Sequence, residues 1–204
     1  AVTQNYDFND VDHSPDGTSV ATSDENGFLR LWNATTGVNF RSANVGGDLN
    51  SVSWSGDGRF VGVTKDDDTA HVFYASNMSS VHGTISADVG GGDYAFDIDL
   101  SPDGEMAAIA IGRSGNGGTN GVVRMINMTD GSVIQNLNPG GEDRFYSVEF
   151  SPTGGHLLIG SNNDFYVVET STWSTVRSES SPNGAVNSVD WSPDGKHMAI
   201  CEGW

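Results

Sequence analysis

The sequence predicts an all-β protein in which a small antiparallel sheet of four strands recurs along the chain. Three observations predict it. A tight corner appears five times: Ser14-Pro15-Asp16-Gly17, Ser55-Gly56-Asp57-Gly58, Ser101-Pro102-Asp103-Gly104, Ser151-Pro152-Thr153-Gly154 and Ser192-Pro193-Asp194-Gly195. Its spacing is near-regular, at 41 (14 to 55), 46 (55 to 101), 50 (101 to 151) and 41 (151 to 192) residues. No stretch sustains a helical period, and clusters of Gly, Asn and Asp break the chain into short apolar runs.

Each corner reads as a turn between two strands. Pro presets φ at the first central position, and Asp and Gly tolerate the later ones. A β-branched residue stands three places before each Ser (Val11, Val52, Ile98, Val148, Val189), and a large apolar one directly before four of them (Trp54, Leu100, Phe150, Trp191). His13 takes that place in the first copy and is expected to be packed rather than catalytic. In the first period the strands fall at 8–13, 18–23, 28–33 and 38–43. Later third strands are read at 70–74, 122–127 and 165–169, and fourth strands at 80–86, 132–137 and 174–180. Asp66-Asp67-Asp68 is read as a tight turn, not as a calcium loop.

A four-stranded unit of ~40–45 residues, repeated and joined by short turns, is the pattern of a β-propeller blade. The chain resembles the WD-repeat propeller family over nearly its whole length. Val189-Asp190-Trp191-Ser192-Pro193-Asp194-Gly195 and the run from Asn26 through Phe28-Leu29-Arg30-Leu31-Trp32-Asn33 to Gly37 carry the resemblance. There are departures. The family's Gly-His pair is absent, with Val45 and Pro182 at the expected His positions, and Asn33 follows Trp32 where the family has Asp. The His-Ser-Trp-Asp network that braces a typical blade is therefore expected to be incomplete. Quinoprotein-like and surface-layer propellers stay open as related alternatives.

The repeats place blades at about 6–43, 49–87, 94–137, 145–180 and 186–204, the last incomplete, in a single partial domain over 1–204. About four and a half blades are expected to form an open arc, a fragment of a seven-bladed ring that would need roughly 290–320 residues. A five-bladed ring with a stunted last blade is the alternative.

Composition narrows the function. The chain has 27 acidic side chains against 9 Lys plus Arg, a formal net charge of −18, so a nucleic-acid partner is not expected. Only Lys65 and Lys196 are Lys, which suits solubility or salt adaptation. One cysteine, Cys201, allows neither an internal disulfide nor a thiolate zinc cluster. No run approaches the ~18 apolar residues of a membrane span. Residue 1 is not Met, and the true start is expected to lie upstream. The location leans to the cell exterior, with a salt-adapted cytoplasm as the alternative.

Loops joining strands four-to-one and two-to-three open on one face. That face holds the irregular stretches 87–94, 112–121 and 138–146. Asp93, Tyr94, Arg113, Asn116, Glu142, Asp143, Arg144 and Tyr146 are the candidate contacts for a protein or peptide partner, since Arg, Tyr and acids on loops over a rigid scaffold make a binding surface. The Gly-rich loop lacks Gly-Lys-Ser/Thr and a following helix, so it is not a phosphate loop. Two residues before each corner Ser stand Asp12, Ser53, Asp99, Glu149 and Asp190, read as solvated acids at the mouth of a channel rather than a cation ring. The five His are scattered, and no Gly-x-Ser-x-Gly elbow occurs. Three glycosylation sequons, at Asn33, Asn77 and Asn127, are about what this composition yields by chance. No catalytic residue, cofactor or metal ligand is assigned. The expected function is a non-enzymatic scaffold, with an enzyme propeller completed outside this chain as the alternative and a surface-layer module as a third.

Overall fold

The computed structural model describes residues 7–89, 93–113 and 121–203, with Arg113 by its backbone alone. The first sheet contains β1 (Phe8–His13), β2 (Ser19–Asp24), β3 (Phe28–Asn33) and β4 (Asn39–Asn44). The second contains β5 (Leu49–Trp54), β6 (Phe60–Lys65), β7 (Thr69–Tyr74) and β8 (Ile85–Ser86). The third contains β9 (Asp93–Leu100), β10 (Met106–Arg113), β11 (Val122–Asn127) and β12 (Val133–Leu137). The fourth contains β13 (Phe145–Phe150), β14 (His156–Ser161), β15 (Asp164–Glu169) and β16 (Ser174–Ser180), and the fifth β17 (Ala185–Trp191) and β18 (Met198–Gly203). Within every sheet the strands pair antiparallel in sequence order. The inner strands β1, β5, β9, β13 and β17 neighbour one another in succession, so the sheets stand as blades in an open arc around a channel.

The corners are one module repeated. Each corner Gly sits in the left-handed region, from φ 67° at Gly195 to φ 74° at Gly58, where L side chains are strained. The Ser hydroxyl accepts the amide proton five residues on: Ser19 at 2.9 Å, Phe60 at 3.0 Å, Met106 at 2.9 Å, His156 at 3.1 Å and His197 at 3.0 Å. In four copies it donates to the corner Asp at 2.7 Å; in the fourth copy Thr153 stands there instead.

The core lies between sheets rather than within one. Val52 and Trp54 of β5 pack on Ala21, Leu29 and Leu31 of the first sheet. Ile98 and Leu100 pack on the second sheet, Val148 and Phe150 on the third, and Val189 on Leu158 and Val167 of the fourth. Large side chains before each corner thus point back at the preceding sheet. They meet small ones after the corner: a Cβ on Gly62 would lie 2.9 Å from Ile98 Cδ1, and one on Gly160 2.7 Å from Val186 Cγ1. Ala108 and Ala110 play that part between the third and fourth sheets.

Two expectations change, and the brace around Trp32 is incomplete as expected. His13 is exposed, not packed, because among the described residues no sheet lies on its side of β1; Val11 near it is 59% exposed. The strand expected over 80–86 is broken: Phe73 bridges Ser80, and regular pairing resumes only at Ile85. Between them the Ser80 hydroxyl donates to the His82 carbonyl, and the His82 ring leaves the edge to meet Met128 O at 2.9 Å. The Trp brace shrinks to two members, with Trp32 Nε1 donating to Thr22 Oγ1 at 2.8 Å. Asp66 to Asp68 form the expected turn between β6 and β7.

Candidate functional site

All five inner strands carry a β-bulge at the same place, five residues before the corner Ser. Pairing with the second strand skips Asn9, Asn50, Phe96, Tyr146 and Asn187. A bulge takes its extra residue out of the ladder and re-aims the side chain. The bulge residues lie near the start of each inner strand, at the end of the blades opposite the corners. In the first two blades the Asn amide reaches the next blade, Asn9 to Leu49 O and Asn50 to Ala95 O, both at 2.9 Å.

In the third and fourth blades the bulge residue is aromatic. The Phe96 and Tyr146 rings lie 5.2 Å apart at 60°, and Tyr94 adds a third ring 6.0 Å from Phe96. Tyr94 is 38% exposed. Arg144 joins them through a backbone bridge to Gly112, where a side chain would collide: a Cβ would lie 2.7 Å from the Phe96 ring and 2.8 Å from Arg144 Cβ. Gly112 therefore holds open the space in which these groups meet.

The structure brings together Tyr94, Arg144 and Tyr146 of the expected contacts. Asp143 is exposed beside them, its carbonyl accepting from the Gly121 amide at 3.1 Å. Asp93 and Glu142 are corrections, because their side chains are turned inward. Asp93, 1% exposed, accepts the Val89 amide proton at 2.8 Å and closes its own loop. Glu142, 9% exposed, accepts from the Tyr166 hydroxyl at 3.1 Å and from Asn163 Nδ2 at 3.3 Å. Burial, then the nearby Asp164, raises the Glu142 carboxyl above its ordinary range. Asn116 and the Arg113 side chain lie outside the described residues. Phe96 was not among the expected contacts, although it is the middle ring.

Asp190 is exposed as expected, but the other acids of the inner strands are not the solvated residues expected. They join blades. The Trp54 amide donates to Asp12 Oδ2, the Phe150 amide to Asp99 Oδ2 and the Trp191 amide to Glu149 Oε2, each at 2.7 Å. A parallel row lies two residues earlier: Val52 N–H to Asp10 at 2.8 Å, Val148 N–H to Asp97 at 2.9 Å and Val189 N–H to Ser147 at 3.2 Å. Where the second blade has Ser in place of acid, the hydroxyls donate to the third blade, Ser51 to Asp97 at 2.6 Å and Ser53 to Asp99 at 2.8 Å. Half-buried with few counter-charges, Asp12, Asp97, Asp99 and Glu149 hold protons unusually well. Burial pushes Asp97 up to about 6 and Asp99 to about 7, and burial with the neighbouring Asp99 and Asp190 pushes Glu149 to about 9. They line a groove of about 570 Å³. Among the described residues no group of three or more His, Cys, Asp or Glu is placed to hold a metal ion.

Antiparallel four-stranded blades stacked around a channel, with the core between successive sheets, define a β-propeller scaffold. The model of the WD domain, G-beta repeat family matches residues 3–33 and 173–204. The chain is similar in structure to Kuenenia stuttgartiensis hydrazine synthase, with TM-score 0.80 and 20% identity over 95% of this chain and 55% of that one. It is similar also to the β-propeller domain of Myceliophteria thermophila Cps50 (Swd1), with TM-score 0.80 and 14% identity over 97% of this chain and 62% of that one. At these identities the likeness is one of fold, and the chain spans less than two thirds of either structure. No curated protein sequence matches it. No helix among the described residues is long and apolar enough to cross a membrane.

Proposed function

We propose that the chain is a non-enzymatic propeller scaffold that binds a protein or peptide at its bulge rim, with Tyr94, Phe96 and Tyr146 as apolar anchors and Arg144 and Asp143 as the polar margin. The observation that carries this reading is the change of residue type at one structural position. Asn9 and Asn50 spend that position on holding blades together. Phe96 and Tyr146 fill it with rings that pack against one another at a tilt across two blades. Aromatic residues with a neighbouring Arg are the side chains most enriched at binding hot spots. The net charge of −18 favours a partner of basic character.

Panning a displayed peptide library against the wild-type chain, then measuring selected peptides by calorimetry, tests the reading. Tyr146→Ala and Arg144→Ala are expected to weaken binding at least about tenfold each. Equal affinity for wild type and both variants would move the partner site elsewhere.

A further inference from the structure

The residue four after each corner Ser changes with every copy: Thr18, Arg59, Glu105, Gly155 and Lys196. In the second blade Arg59 uses that position to cross to the third. Its Nε donates to Asp57 Oδ2 of its own corner, and its Nη2 to Asp103 O of the next at 2.9 Å. The guanidinium lies 4.9 Å from the centre of the Phe60 ring. It rests against Gly104, where a Cβ would lie 3.0 Å from Nη2. A corner carboxylate, a carbonyl one blade on and an aromatic wall make a seat for a guanidinium.

One interface earlier the same seat is built without its cation. Asp16 accepts from Ser14 Oγ at 2.7 Å, Thr18 N at 2.9 Å and Thr18 Oγ1 at 2.8 Å, all on Oδ1. Its Oδ2 is the counterpart of the oxygen that holds Arg59, and among the described residues no other residue donates to it. Asp57 O, the counterpart of Asp103 O, likewise accepts nothing among the described residues. Thr18 is too short to cross. What remains is a cavity of about 330 Å³ between the first and second blades, with Asp16, Thr18, Phe40, Trp54, Asp57 and Gly58 in its walls. Gly58 stands here as Gly104 stands at Arg59, and Phe40 is 43% exposed. The later corners differ. Glu105 of the third faces Arg59 at 3.6 Å, the fourth has Thr153 in place of the Asp, and the fifth sets its own Lys196 3.6 Å from Asp194.

We infer that this cavity takes the arginine side chain of a basic partner chain, its guanidinium meeting Asp16 Oδ2 and Asp57 O as Arg59 meets Asp57 and Asp103. The seat lies at the corner end of the blades, away from the bulge rim, so it is a second contact that stands without the first. A net charge of −18 favours such a partner. Arg41, whose guanidinium lies 5.2 Å from the centre of the Phe40 ring, also lines the cavity and opposes a cationic ligand.

Titration of the 204-residue chain with N-acetyl-L-arginine methylamide tests this, read at the indole N–H resonance of Trp54 and assigned with Trp54→Phe. Saturable binding in about the millimolar range is expected, and the uncharged citrulline analogue is expected to leave the resonance in place. Asp16→Asn keeps a residue suited to the turn and is expected to weaken binding at least about fivefold. Thr18→Arg, at an exposed position, is expected to abolish binding by seating the chain's own arginine as the second blade does. Arg41→Ala is expected to bind at least as well as wild type, and Tyr146→Ala, at the other end of the blades, to bind equally. No binding by wild type, an equal response to citrulline, full binding by Asp16→Asn or Thr18→Arg, or a loss in Arg41→Ala or Tyr146→Ala would each overturn the inference.

Discussion

Glu149 and Trp191 are joined across the gap between the fourth and fifth blades, the indole-bearing residue donating its amide proton to the carboxyl at 2.7 Å. The same carboxyl holds its own proton up to about pH 9. One side chain therefore links two sheets and ties their attachment to pH.

The sign of that dependence follows from the folded state holding protons more tightly than the unfolded chain. Asp97, Asp99 and Glu149 are raised, so their contribution is full below about pH 4 and is lost as pH rises through 6, 7 and 9 respectively. Corner acids behave oppositely. Ser hydroxyls hold Asp16, Asp103 and Asp194 below the usual carboxylate range, and their contribution is lost below about pH 4. The urea midpoint is expected to peak near pH 4–5 and fall towards pH 9. Glu149→Gln, which keeps an acceptor for Trp191, should flatten the segment above about pH 7. A midpoint that climbs from pH 5 to 9 would contradict this.

Asp12 and the Trp54 amide give a direct measure of one inter-blade link. Asp12→Ala leaves that amide without its acceptor and is expected to cost about 1–2 kcal/mol in denaturant unfolding. Asp12→Asn retains a carbonyl oxygen and should recover most of the loss. If Asn is as damaging as Ala, the charge and not the hydrogen bond is what matters.

Ser55 is buried under its corner, accepting from Phe60 N–H and donating to Asp57. Ser55→Ala is expected to lower stability by about 1 kcal/mol. Unchanged thermal unfolding would show that the Gly58 turn holds the corner alone.

Gly112→Ala drives a methyl group against Phe96 and Arg144. The expected result is a loss of about 1–3 kcal/mol with weaker peptide binding than Tyr94→Ala produces, since the whole rim shifts rather than one ring. Near-ultraviolet circular dichroism should report the moved aromatic pair. Full binding in Gly112→Ala would separate the rim from recognition.

The blades were legible because their turns are spelled out in side chains. Ser, Pro, Asp and Gly each do a local job, so β1, β3, β11 and β16 fall where the residues alone place them. The direction of Asp12, Asp99 and Glu149 was not legible. Whether an acid meets water or an amide depends on what stands 42 to 51 residues away, and nothing in its own strand records that. The bulge was hidden for a related reason: a one-residue slip in pairing leaves the local pattern intact. Its trace is visible only across copies, where Asn9, Asn50 and Asn187 agree and Phe96 and Tyr146 differ. That signal would have found Phe96. Tyr94, Tyr146 and Arg144 were accessible as aromatic and cationic residues on loop-rich ground, whereas Asp93 and Glu142 gave no sign that their carboxylates serve Val89 and Tyr166.

The skipped residue of each inner strand belongs to no ladder, so what is asked of it comes from its neighbours and not from its own sheet. Asn9 and Asn50 still tie their blades to the next, whereas positions 96 and 146 carry rings at the rim. Randomising positions 96 and 146 together would vary what the molecule grips while its blades stay as they are, so recognition can drift or be redesigned there without renegotiating the core.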